Sequence, residues 1–127
     1  MGIRTELGLR LPNSPGALAT VCRLLAEQRV RIIAMSLDAG GQCRVIVDNP
    51  SKAIDTLRAN HHKVAARDVL AVQAPGDADS LASILRLVSG AGINVEYAYA
   101  GGEDAGATRL VILGVDDPAR AATAAGL

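Results

Sequence analysis

Apolar and polar residues alternate strictly over residues 5–11, with Leu7, Leu9 and Leu11 on one side and Glu6, Gly8 and Arg10 on the other. A period of two predicts a strand with one buried face and one wet face. The run Pro12-Asn13-Ser14-Pro15-Gly16 then reads as a turn. Ser14 is expected to cap a helix and Pro15 to fill its first position, where the missing N–H costs nothing. From Ala17 the period becomes helical: Leu18, Val21, Cys22 and Leu25 mark an apolar face, widened by Leu24, while Arg23, Glu27 and Gln28 belong to the wet side. Residues 30–37 are rich in branched side chains and predict a second strand. Asp38-Ala39-Gly40-Gly41 predicts a hairpin turn in which glycine supplies the positive φ, and Cys43, Val45 and Val47 predict a third strand. Asn49-Pro50 repeats the cap-plus-proline helix start, Ala53, Ile54 and Leu57 form a short apolar stripe ending near His61, and residues 64–74 read as extended.

The same order recurs. Leu81-Ala82, Arg86-Leu87 and Ile93 fall 63 residues after Leu18-Ala19, Arg23-Leu24 and Val30. Leu81, Ile84, Leu85 and Val88 make the equivalent helix face. Ile93, Val95, Tyr97 and Tyr99 alternate as a strand, which puts both tyrosines on the apolar side; residues 101–106 predict a longer hairpin loop, residues 110–115 a strand, and Asp117-Pro118 a last helix start. Each copy is therefore strand–helix–strand–strand–helix, with a closing strand after the first, and such an order packs helices on one face of an antiparallel sheet. The copies are expected to span residues 1–67 and 68–127. The second stops at Leu127, where its last strand should begin. That strand is either missing or supplied by another chain, and because an unpaired inner edge is a liability, a homodimer is expected.

Composition narrows the function. The length of 127 residues suits one ordinary domain or two very small ones. Half the residues are apolar but only Tyr97 and Tyr99 are aromatic, so aliphatic side chains and alanine must fill the core. Thirteen basic residues balance thirteen acidic ones, which removes any general attraction to nucleic acid or to an anionic membrane. The scarcity of aromatics also removes a platform for base stacking. Cys22 and Cys43 make neither a disulfide framework nor a zinc site and are expected to be small buried hydrophobes. No apolar run approaches the roughly 18 residues of a membrane span, and the N-terminus lacks a secretion pattern, so a cytoplasmic location is expected. His61-His62 suits a helix C-terminus better than a metal site, because adjacent histidines share no helix face and no further ligand stands at useful spacing. Gly40-Gly41 and Gly101-Gly102 are not followed by helices and are hairpin turns rather than phosphate loops. No nucleophile has a positioned base. No catalytic residue, metal or cofactor is expected.

The segment Leu11-Pro12-Asn13-Ser14-Pro15-Gly16-Ala17-Leu18 resembles the strand-to-helix signature of ACT domains. In the second copy, Ala91-Gly92-Ile93-Asn94-Val95-Glu96-Tyr97-Ala98-Tyr99 is similar to the same family, and Asp68-Val69-Leu70-Ala71-Val72 between the copies fits it too. The resemblance covers nearly the whole chain. It implies an α+β fold of two tandem ferredoxin-like βαββαβ domains set side by side. It also implies a non-catalytic regulatory module that binds an amino acid at the seam and acts on a metabolic enzyme.

The chemistry suits such a ligand. A turn before a helix offers free N–H groups and the positive end of the helix dipole to a carboxylate. Gly16 leaves room for close approach, and the Asn13 amide both donates and accepts. If a pseudo-two-fold axis relates the copies, Asn13, Ser14, Pro15, Gly16, Ala17 and Leu18 meet Asn94, Val95 and Glu96. Asn13 and Ser14 could also serve as helix caps. The reciprocal turn, Pro75-Gly76-Asp77-Ala78-Asp79, lacks the Pro-Gly step, and Arg31 stands where Asn94 would be matched. Asp77 or Asp79 could pair with Arg31, leaving one working site per chain. A protein-interaction scaffold that kept the fold without the ligand is the alternative.

Overall fold

The computed structural model describes residues 2–102 and 106–127. The element order is β1 (Ile3–Arg10), α1 (Ala17–Glu27), β2 (Ile32–Leu37), β3 (Gln42–Val47), α2 (Pro50–Ala59), β4 (Ala65–Pro75), α3 (Ser80–Gly90), β5 (Val95–Gly101), β6 (Thr108–Val115) and α4 (Pro118–Ala124). The chain folds as two compact units, Thr5–Arg67 and Met1–Arg4 together with Asp68–Leu127. Residues 2–4 group with the second copy.

In the first unit the strand order is β2-β3-β1, followed by the opening residues of β4. Leu7 pairs with Val45 and Leu9 with Cys43 in the antiparallel β1–β3 ladder. These four side chains face α1 and α2 and join Val21, Leu24, Leu25, Ala53 and Leu57 in one core. Leu7, Leu25 and Leu57 are fully buried, each contributing about 1.5–3 kcal/mol relative to exposure. Asn49 accepts the Lys52 N–H at 3.2 Å and Pro50 opens α2, as its sequence predicts. The β2–β3 turn also forms as expected: Gly41 has φ 88°, and the Asp38 carboxylate accepts the Gln42 N–H at 3.1 Å.

The second unit has the order β4-β6-β5, with residues 2–4 beside β4. The Ala71 N–H donates to the Gly2 carbonyl at 2.6 Å. The strand expected to be missing from the second copy is therefore supplied by the first residues of the same chain, and the reason given for self-association falls away. Leu70, Val72, Val111, Leu113 and Val115 face α3 and α4 and form the second core with Val88 and Ala121. Asp117 accepts the Arg120 N–H at 3.1 Å, so this cap also follows the sequence. Residues 103–105, within the expected 101–106 hairpin loop, lie outside the described residues.

Three expectations of burial are corrected. Tyr97 and Tyr99 do not face the core: they pair with Gly114 and Ile112, on the side of β6 opposite Val111, Leu113 and Val115. A register shift between Val95 and Tyr97 turns the strand over at that point, since one residue of slip exchanges the two faces. The rings stack with centroids 6.5 Å apart. Glu6, assigned to the wet face, is only 3 % exposed and lies 4.0 Å from the Arg44 guanidinium. Cys43 is buried as expected, but Cys22 is only partly so, because Val21, Leu24 and Leu25 take the innermost face of α1. Burial raises the Cys43 thiol above its ordinary value, with Cys22 adding to the effect.

Candidate functional site

Among the residues expected to bind ligand, Asn13 to Leu18 form one turn of the first unit, running from the end of β1 into α1. The helix does not start as its sequence suggests. Ser14 is not its N-cap and Pro15 is not its first residue: Gly16 holds the cap position with φ 85° and ψ −5°, and no side chain bonds to the helix start. The reason lies in the turn before it. The Ser14 N–H donates to the Pro12 carbonyl at 2.9 Å, and the Ala17 N–H reaches the Ser14 carbonyl at 3.4 Å. The chain therefore closes on itself one residue too early for Ser14 to cap, and it needs a left-handed residue to enter the helix. Glycine adopts that conformation without steric cost.

This local geometry leaves polar groups open. The Thr20 N–H is the first to bond within the helix, to the Gly16 carbonyl at 2.9 Å. Among the described residues the Leu18 and Ala19 N–H groups have no backbone partner. A Cβ placed on Gly16 would meet nothing within 4 Å, so the approach to the helix start is open space.

Two depressions flank the turn. One of about 210 Å³ lies between Asn13, Ser14, Gly16, Ala17 and Leu18 on one side and Leu37, Asp38, Ala39 and Gly41 of the β2–β3 turn on the other. The second, of about 310 Å³, includes Pro15, Thr20 and His62. The hairpin residues and His62 were not identified from sequence, because their approach to residues 11–17 is long-range. The contact is anchored by the Leu11 N–H, which donates to the Gly41 carbonyl at 2.8 Å. The one local signal was the glycine at position 41.

Asn94, Val95 and Glu96 belong to the second unit. Asn94 is exposed just before β5, Val95 pairs with Val115 and packs on the core, and Glu96 is exposed beside the register shift. The corresponding turn of that unit is built differently. Both oxygens of Asp77 are engaged locally: Oδ1 accepts the N–H groups of Asp79 at 2.9 Å and Ser80 at 2.8 Å, and Oδ2 accepts the Ser80 hydroxyl at 2.9 Å. These bonds hold the Asp77 carboxyl below its ordinary value, the Ser80 N–H first among the causes. The start of α3 thus carries its own carboxylate, where the start of α1 carries none. Arg31, suggested as a partner for Asp77 or Asp79, donates its backbone N–H to the Asp48 carboxylate at 2.9 Å.

Among the described residues no group of three or more His, Cys, Asp or Glu side chains could hold a metal ion, and no helix is long and apolar enough to cross a membrane.

Two α+β units, each with two helices packed on antiparallel strands, and a glycine-entered helix after β1 define the class of fold. The chain belongs to the ACT domain pair family, which it matches over residues 1–125. No curated protein sequence matches it. Among solved structures it is similar to a protein of Bacteroides thetaiotaomicron, with 26% identity and a TM-score of 0.87 over 96% of this chain and 85% of that one. It shares its fold with the regulatory subunit of aspartate kinase from Thermus thermophilus in a ligand-free form, at 19% identity, a TM-score of 0.68, and coverage of 99% and 95%. The corresponding subunit from Thermus flavus gives 16% identity and a TM-score of 0.64, again over 99% and 95%.

Proposed function

We propose that this chain is a non-catalytic regulatory module that binds one free amino acid at the turn of residues 11–18 and transmits its presence to a metabolic enzyme. The observation that carries the reading is the contrast between the two helix starts. At α3 a carboxylate from Asp77 bonds the first N–H groups. At α1 no side chain bonds the helix start: among the described residues the Gly16 N–H, matching that of Asp79, has no backbone partner, the Ala17 N–H reaches only the Ser14 carbonyl at 3.4 Å, and the space beside Gly16 is open. A ligand carboxylate there would supply the anionic acceptor that Asp77 supplies at the start of α3, helped by the helix dipole and by the Leu18 and Ala19 N–H groups of the first turn. The Asn13 amide, lining the same depression, supplies an acceptor for the ammonium group. The depression is smaller than the roughly 300–1,000 Å³ of drug-sized sites, which suits a small amino acid. Asn94, with Val95 and Glu96, is retained as the second part of the binding set on sequence grounds. The family and the likeness to aspartate kinase regulatory subunits support the regulatory role and a partner enzyme.

Thermal unfolding against the twenty amino acids, followed by calorimetry, tests the reading, because a ligand of the native state raises its apparent stability. One selective ligand at one equivalent per chain, lost in Asn13→Ala and weakened in Asn94→Ala, is the expected result. The absence of any shift at millimolar ligand would replace the sensor with an interaction scaffold.

A further inference from the structure

A third depression in the first unit, larger than either beside the turn, has a different chemistry. It has a volume of about 520 Å³ and lies where the end of β1 meets the segment between α2 and β4. Arg10, His61, His62 and Lys63 line it with Gln42, and none of its lining residues is acidic. Arg10 is held at the rim by a 2.6 Å bond to the Gly40 carbonyl, which leaves the rest of its guanidinium free to donate. Among the described residues neither Arg10 nor Lys63 forms an ion pair.

The backbone brings these cations together. Helix α2 ends with the His61 N–H on the Arg58 carbonyl at 3.1 Å and the His62 N–H on the Leu57 carbonyl at 3.0 Å. His61 takes φ 70°, a left-handed value usually left to glycine or asparagine at a helix end. This closure directs residues 61–63 back over the end of β1. Gly8 lines the depression from the strand. A Cβ there would find ordinary contacts, 3.4 Å to Gln42 Nε2 and 3.8 Å to the Ala65 carbonyl, so a larger side chain would fit the backbone and fill the space above it.

We infer that this depression binds a phosphate-bearing small molecule, distinct from the amino acid proposed for the turn. Two permanent cations match the charge of about −1.5 to −2 on a phosphate monoester near neutral pH. The guanidinium fork offers paired donors to its oxygens, and the two imidazoles add ring N–H donors. The volume falls in the range of small-molecule sites rather than that of a bare ion.

Calorimetric titration of the full chain with pyrophosphate and inorganic phosphate, beside succinate and glycine, tests the inference. Pyrophosphate is expected to bind and to weaken steeply with salt, with succinate weaker and glycine without effect at this site. The double variant Arg10→Gln/Lys63→Gln, both residues being exposed, should lower pyrophosphate affinity at least tenfold with little change in melting temperature. Gly8→Val should block binding by filling the depression, while Asn13→Ala leaves it unchanged. The inference is overturned if pyrophosphate shows no heat at millimolar concentration, if succinate binds as well, or if the folded Arg10/Lys63 variant binds it as wild type does. Loss of pyrophosphate binding in Asn13→Ala would instead move the anion to the turn.

Discussion

The backbone of Gly41 lies directly against that of Leu11: the Leu11 N–H donates to the Gly41 carbonyl at 2.8 Å, and a Cβ on Gly41 would collide with the Leu11 carbonyl oxygen. This contact ties the β2–β3 turn to the segment that becomes the candidate ligand turn. Gly41 also has φ 88°. Gly41→Ala is therefore expected to cost about 1–3 kcal/mol, from left-handed strain and from the displacement of residue 11. Chemical denaturation gives that loss directly. Ligand binding at the turn should fall with it even where the variant is still folded, and a stability equal to wild type would refute the contact.

Gly16 differs from Gly41 in having open space around it, so its substitution separates backbone strain from packing. Gly16→Ala should cost about 1 kcal/mol for the left-handed conformation alone. It also places a methyl group at the mouth of the depression, so amino-acid affinity should fall by more than the change in stability explains. Comparing the melting temperature with the calorimetric affinity distinguishes the two effects.

Asp77 makes a pH dependence. Its folded carboxyl titrates below the ordinary value of 3.8, chiefly because it accepts the Ser80 N–H and hydroxyl. A group depressed in the folded state stabilises above its unfolded pKa, and that contribution is lost as pH falls through 3.8 toward the folded value. Asp77→Asn should therefore melt lower than wild type at neutral pH. The gap should narrow below pH 3.8, and a gap independent of pH would show that the carboxylate charge contributes nothing.

Residues 2–4 complete the second unit through the bond from the Ala71 N–H to the Gly2 carbonyl. Deleting them should speed amide exchange in β4, β6 and β5 more than in β2 and β3, because an inner strand becomes an edge. Equal change in both sets of strands would argue against this assignment of the first residues.

The ring of Tyr97 lies flat over Gly114, close enough that a Cβ on Gly114 would clash with it. Gly114→Ala should cost about 1–3 kcal/mol as an overpacking change. The cost should shrink in a Tyr97→Ala background, giving a positive coupling in a double-mutant cycle. Independent effects would place the ring elsewhere.

Local pattern was enough for the repeat, the helices and strands, and two of the caps. Leu7, Leu9 and Val45 are buried where a period of two put them, and Asn49 and Asp117 cap their helices because capping needs only neighbours three residues away. Ser14 looked like another cap, and the bond from its own N–H to Pro12 overrode it. Tyr97 looked like core until a single register shift reversed its strand.

The candidate sites divide the same way. Residues 13–18 were legible because glycine and proline mark a turn wherever they occur together. The Leu37–Gly41 wall and His62 were not, since no spacing in the chain brings position 41 to position 11. The sequence by itself determined the two copies and the turn, because those rest on periodicity and on short-range backbone preference, and its motifs carried the resemblance to the family. Only the tertiary structure decided that residues 2–4 close the second unit, that Glu6 is buried, and that Arg10 and Lys63 line one depression. Each of these depends on strand pairing between distant segments, where the choice of neighbour is made by the packing of the whole sheet.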